Sequence, residues 1–284
     1  MGMLELPNNI RLPFIAYGSF KPGELRFNLI KDYVLSHKPI VIYGIIREKD
    51  GIPLYKTSNS ERSYYTHFSI DSYEITFKEG QEKSAYQIIC DNEPNTFYKW
   101  TAIDEGNVLE GKRIKGAISI TDPSWSFSND PYFESGLIAC ESIANQKGSN
   151  LKATSQDHHH FFTKQAAYML LWTIIERFCA IKYGNLSPGE KLKKLSCDDE
   201  IDWEILRKII NRDDTIVPSN QSRTNVKLNS NSTPLKSLNY YYSLRSNMVH
   251  RGKDVFSDIE RIDSAFDELF EITKHIINTF IKRK

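Results

Sequence analysis

Hydrophobic positions change period partway along this chain. Near the start they come in short runs of strand length. Leu12, Phe14, Ile15 and Ala16 lead into a small-residue loop, Tyr17 to Gly23. Ile40 to Ile46 is a continuous apolar run, Gly51 to Tyr55 reads as a turn and short strand, and Ser69 to Phe77 alternates. Further strands are expected around Thr101–Ile103 and Ala117–Ile120, with short helices over Leu25–Leu35 and Pro131–Ala144. Ser84 to Cys90 begins an element whose type the pattern leaves open.

From Phe161 the period is helical. Phe162, Ala166, Met169, Leu170, Trp172, Thr173, Ile174, Phe178 and Ile181 form a broad apolar face that stops at Tyr183-Gly184. Ser187 followed by Glu190 fits a capping box for a helix to Leu195, and Asp202–Ile210 reads as another helix. Arg212 to Thr233 is polar and without period, which predicts a mobile loop. The last helix, from about Asp254 to Lys282, carries Phe256, Ile259, Ile262, Phe266, Leu269, Phe270, Thr273, Ile276, Ile277 and Phe280 on one stripe. The expected class is α+β: a mixed β domain over residues 1–145, a linker over 146–156 rich in Lys, Gly, Ser and Asn, and an all-α bundle over 157–284.

Composition adds limits. The 284 residues are 40% hydrophobic, enough for two cores, and the net charge of +1 gives no global field for nucleic acid or membrane. Basic and acidic residues also nearly balance beyond Asp157, so an RNA site there would be a local patch. Cys90, Cys140, Cys179 and Cys197 are far apart and read as reduced core thiols, which fits a cytoplasmic protein. No apolar run approaches about 18 residues, so no membrane span is expected. Met1–Pro7 lacks the layout of a signal peptide. Asp157-His158-His159-His160 invites a metal, but adjacent helical side chains diverge by about 100°. The expectation is a helix start with Asp157 near the N-cap, with no metal and no cofactor.

Two stretches carry chemistry. Successive amides of a glycine-containing loop after a strand can cradle an anion, or the loop can be an ordinary strand-to-helix turn. A glutamate before a strand is a general base if buried, or a solvated surface residue. Tyr17-Gly18-Ser19 with Gly23, and Glu93 followed by Tyr98, resemble the gamma-glutamylcyclotransferase-like family, a small mixed barrel with helices; the resemblance covers about Leu12 to Ile120. It implies that Tyr17, Gly18 and Ser19 hold the carboxylate of a gamma-glutamyl-type ligand. It also implies that Glu93 is the base acting on the ligand's amine. Glu105 and Glu110 are alternative candidates for the base.

The second stretch is Asn239 to Gly252, which contains Arg245-Ser246-Asn247-Met248-Val249-His250 after a tyrosine run. By pattern alone it is a helix C-terminus with basic residues and a glycine stop. The spacing, with helices on both sides, resembles the Arg-x4-6-His signature of HEPN domains, helical modules many of which are metal-independent ribonucleases. The resemblance implies a homodimer whose two motifs line one cleft, with Arg245 and His250 catalytic and Asn247 supporting them. Glu176, on the earlier helix, would hold Arg245; by pattern alone it is equally a surface partner of Arg177 or Lys182. The expectation is a ribonuclease effector of toxin–antitoxin or phage-defence type, acting on RNA, with a sensing or binding barrel. Two alternatives stand beside it: a gamma-glutamyl amine cyclotransferase with a dimerising helical domain, and a non-catalytic binding protein.

Overall fold

The computed structural model describes residues 4–49, 52–57, 68–93, 95–112, 117–119, 127, 130–145, 153–184, 186–218, 224–251 and 259–281. The chain divides into two compact units. One is Met1–Asp130 with Ile181–Asn185, and the other is Pro131–Ala180 with Leu186–Lys284.

The first unit contains β1 (Phe14–Ala16), α1 (Phe27–Ile30), β2 (Val34–Lys49), β3 (Ile52–Thr57), β4 (Phe68–Phe77), α2 (Glu82–Asn92), β5 (Tyr98–Ile103), β6 (Gly106–Gly111) and β7 (Ile118–Ser119). The strands follow the order β1-β4-β2-β3-β6, and β6 returns to β1 in parallel through Phe14 opposite Asn107, so five strands close a barrel. β5 lies antiparallel outside β6, and β7 pairs with β2. Closure removes the unpaired edges that an open sheet of this size would present. Phe14, Ile15, Ile46, Ile70, Ile75 and Val108 are buried in the core around it. Tyr86 of α2 covers them, its ring 5.2 Å from Phe77 and 5.3 Å from Trp100, its hydroxyl donating to the Leu12 carbonyl at 2.6 Å.

Two expectations change here. The Leu25–Leu35 helix shrinks to α1 and a single 3-10 turn, because β2 starts at Val34 and pairs with β4 from there to Gly44. Strand pairing outweighs the weak local preference for helix. β6 was absent from the sequence pattern because all six of its residues are buried, polar Asn107 and Glu110 included, so neither alternation nor an apolar run marks it. Gly106 opens it at φ +153, with the Pro13 carbonyl oxygen where a Cβ would need to be.

The second unit contains α3 (Pro131–Ala144), most of α4 (Ala153–Tyr183), α5 (Pro188–Ser196), α6 (Ile205–Ile209), the hairpin β8 (Asp214–Ile216) and β9 (Val226–Leu228), α7 (Pro234–Arg251) and α8 (Ile259–Ile281). In this division α3 belongs to the second unit. α3 buries Phe133 and Cys140, and Gly136 lets Ile174 of α4 approach closely. Its Tyr132 ring lies under the Arg177 guanidinium at 4.2 Å.

α4 begins inside the stretch expected as linker. Asp157 and the three histidines are thus within the helix and not at its cap, and His160 meets Asp263 at 3.0 Å. Phe162 is 60% exposed, and Ala166 and Thr173 are exposed too. From Ala166 to Ile175 α4 is apolar almost all round, so spacing alone did not select its buried stripe, which includes Phe161, Tyr168, Leu171, Trp172, Ile175 and Cys179. The Ser187–Glu190 capping box is formed, and α8 buries Ile262, Phe266, Leu269, Ile276 and Ile277 as its period requires. Cys197, expected in the core, is exposed at the end of α5.

Candidate functional site

In the first unit, Tyr17 ends β1 and turns its hydroxyl inward to the Leu109 carbonyl at 2.7 Å, while accepting the Tyr55 amide at 3.3 Å. Burial pushes its phenol well above the ordinary range. The loop after it folds on itself: Lys21 N–H donates to the Gly18 carbonyl, Glu24 to Lys21 and Arg26 to Ser19. Those three amides are engaged within the loop, so an anion would depend on its other N–H groups.

Glu93 sits at the end of α2 in extended geometry and is 9% exposed. Its Oε1 accepts from Arg26 Nη1 at 2.7 Å. Burial raises its carboxyl above the ordinary value, against the pull of that guanidinium. Tyr98, five residues on, donates to the Pro53 carbonyl at 2.8 Å, and its phenol is raised by burial and by the neighbouring Tyr17 and Glu93. Tyr17, Glu93 and Tyr98 are thus brought into one electrostatic neighbourhood, with Arg26 the partner that sequence reasoning missed. Nothing in the pattern around Arg26 distinguishes it from a surface arginine.

The alternative carboxylates are placed otherwise. Glu105 is exposed in the turn before β6. Glu110 is buried, but bonds from Lys99 at 2.9 Å and Thr101 at 2.7 Å outweigh that burial and leave its carboxyl below the ordinary value. An ionised, saturated carboxylate is a poor proton acceptor.

In the second unit, Arg245 lies on α7, and its Nη2 is 3.7 Å from Glu176 Oε1 on α4. The guanidinium carbon is 5.8 Å from the Tyr242 ring centre, and Nε is buried without a hydrogen-bond partner. Long-range attraction therefore holds the fork while leaving a donor unused. Asn247 donates to the Val217 carbonyl at 2.9 Å, and its Oδ1 is buried and unpartnered. α7 continues through His250 to Arg251, so the helix does not stop before the histidine. Five residues of regular helix set Arg245 and His250 about 140° apart around the axis. The His250 side chain and Gly252 lie outside the described residues.

The stretch expected as a structureless loop holds the densest polar network of this unit. Arg212 bonds both carboxylate oxygens of Glu268, at 2.9 and 3.0 Å, and Asp214 at 2.7 Å. Arg261 bonds Asp214 at 2.9 and 3.2 Å, the Tyr240 hydroxyl donates to Asp214, and Tyr241 donates to Glu268 at 2.9 Å. This network fixes the β8–β9 hairpin beside α7 and α8. No signal of period could have shown it, because its members come from three separate segments, the chain around β8, α7 and α8.

No group of His, Cys, Asp or Glu among the described residues is arranged to hold a metal ion, and no helix among them is long and apolar enough to cross a membrane. No protein-family model, curated protein or solved structure matches the chain.

Proposed function

We propose that the second unit is a metal-independent ribonuclease of HEPN type, of the toxin or phage-defence class, and that the first is a cyclotransferase-like domain that binds a small ligand or partner. The observation that carries this reading is Arg245, near the end of α7, reached by Glu176 from α4 at 3.7 Å while its side chain stays 24% exposed. A guanidinium so placed is restrained yet able to grip a phosphate. In the reaction the 2′-hydroxyl of RNA loses its proton and attacks the adjacent phosphorus. The phosphorus–O5′ bond breaks, and the leaving oxygen takes a proton. His250 carries the proton traffic and Arg245 meets the phosphate charge, with two copies of α7 lining one cleft in a homodimer.

The test is cleavage of RNA by the full chain in EDTA. The expected products carry 2′,3′-cyclic phosphate or 3′-phosphate ends. His250→Ala should lower the rate by about 10² to 10⁴, the usual contribution of a general acid–base. Undiminished cleavage in both His250→Ala and Arg245→Ala rejects the site.

A second reading, turnover by the first unit, is favoured by the buried Glu93 with its raised carboxyl. There the ligand's amine, deprotonated by Glu93, would attack its own gamma-carbonyl. The ring C–N bond forms as the amide C–N bond breaks, the departing amine takes the proton, and 5-oxoproline remains. Release of 5-oxoproline from a gamma-glutamyl amine by the full chain, abolished in Glu93→Gln, is the measurement. No release from the wild type rejects it.

A further inference from the structure

The Glu93 carboxylate is already occupied. Tyr17 and Tyr98, its aromatic neighbours, both direct their hydroxyl protons to backbone carbonyls, of Leu109 and Pro53. The charge on Glu93 is met by Arg26, whose Nη1 bonds Oε1 at 2.7 Å. The two partners are anchored differently. Glu93 follows an 11-residue helix whose Ala85, Tyr86, Ile89 and Cys90 are buried. Arg26 hangs from the turn between the Tyr17–Gly23 loop and the four-residue α1, beyond Gly23 at φ +89. The carboxylate is on a rigid element, and the cation is the flexible end of a long side chain just beyond the loop expected to meet a ligand.

Arg26 has two further attachments. Its Nε donates to the Ile181 carbonyl at 3.2 Å, and its guanidinium carbon lies 5.8 Å from the Phe20 ring centre. Ile181 is in the last turn of α4, where carbonyls lack partners within the helix and a cation is favourable. Each attachment can be exchanged for water or for another cation's contacts without breaking a strand or a helix.

We infer that Arg26 is an internal occupant of a cation subsite on Glu93, and that the ligand of the first unit carries an ammonium or guanidinium group that displaces it. Arg26 then sets which ligands the site admits, since a neutral molecule has no means of replacing the charge on Glu93. The inference rests on reading the first unit as ligand-binding, and it holds whether or not that unit turns its ligand over. Competition with an internal group lowers apparent affinity by the fraction of time the site is open. A pair closed about 90 to 99% of the time weakens binding about 10- to 100-fold.

The experiment uses the full chain and two probes. Gamma-glutamyl methylamide, titrated calorimetrically, should bind Arg26→Ala about 10- to 100-fold more tightly than wild type. Methylguanidinium, the severed head of Arg26, should raise the melting temperature of Arg26→Ala saturably, leave the wild type unmoved, and leave Arg26→Ala/Glu93→Gln unmoved. Where the alanine variant does not fold, Arg26→Gln keeps a donor on a shorter stem and is judged by the same comparison. Affinity no higher without Arg26, absence of saturable rescue, or equal rescue without Glu93 overturns the inference and leaves the pair a brace of the fold. Neither RNA cleavage nor release of 5-oxoproline is read, so those activities can fail while this result stands.

Discussion

Arg212 grips Glu268 with two parallel bonds, Nε to Oε1 and Nη2 to Oε2, so the chain just before β8 is fastened to the middle of α8. Planar, paired bonding of this kind is stronger and more directional than a single contact. Removing one partner strands the other in a partly dry site. The Arg212 side chain is 22% exposed, so Arg212→Ala should cost about 3 kcal/mol, the lower end for orphaning half of a buried pair. Urea unfolding of the full chain measures it, and a loss under about 1 kcal/mol, the level of a surface pair, would place the pair among surface contacts.

Asp214 gives the same network a pH signature. Burial alone would raise its carboxyl, but bonds from Arg261, Tyr240 and Arg212 outweigh it and hold the value at about 2, against 3.8 for the free group. A depressed folded value means the contribution is complete above 3.8 and is lost as pH falls toward 2. Melting curves across that window should show an acid limb that Asp214→Asn flattens. An unchanged limb would assign the acid sensitivity to other carboxylates.

On the proposed ribonuclease reading, Glu176 acts through the Arg245 it pairs with at 3.7 Å. Glu176→Gln should reduce RNA cleavage by about 10- to 100-fold, in line with the cost of a misplacement of about 1 Å, and by less than Arg245→Ala does. Equal losses in the two variants would mean that the glutamate itself takes part in the chemistry.

Gly184 follows α4 at φ +81, and a Cβ there would collide with Asn92 Oδ1. Gly184→Ala carries two separable penalties: a backbone cost of about 1 kcal/mol for the left-handed conformation, and displacement of the Asn92 side chain from the Ile88 carbonyl it bonds at 2.7 Å. Thermal melts of Gly184→Ala, Asn92→Ala and the pair should show that the double variant loses less than the two single losses added together. Strict additivity would mean that the clash is relieved elsewhere at no cost.

Period and punctuation revealed what they encode. The Ser187–Glu190 box and the α8 stripe are local, so they could be read directly. β6 could not, because only Val108 and Leu109 in it are apolar, and it buries Asn107 and Glu110 along with them. The buried side of α4 was misjudged at Phe162 and Thr173 because neighbours, not spacing, select among so many apolar residues. The hairpin at Asp214–Leu228 looked structureless because its order comes from Arg212, Arg261 and Glu268 across long separations. At the candidate sites, Glu93, Tyr98, Glu176 and Arg245 were singled out by the two family resemblances, not by period. Arg26 could not be, since its meaning lies wholly in which carboxylate it reaches.

Closure of the barrel also imposes an order on its making. The last seam joins Phe14 and Ile15 of β1 to Asn107 and Val108 of β6, nearly the whole length of the first unit apart in the chain. Contacts so distant in sequence form late, because the loop must be closed before they repay it. During synthesis, at roughly 5 to 20 residues per second, β1, β2 and β4 emerge and wait several seconds for the strand that completes them. Their apolar faces are open throughout that interval. A released chain truncated before Gly106 would therefore be a sticky, edge-bearing sheet, whereas one that runs past Gly111 has every strand it needs to seal itself.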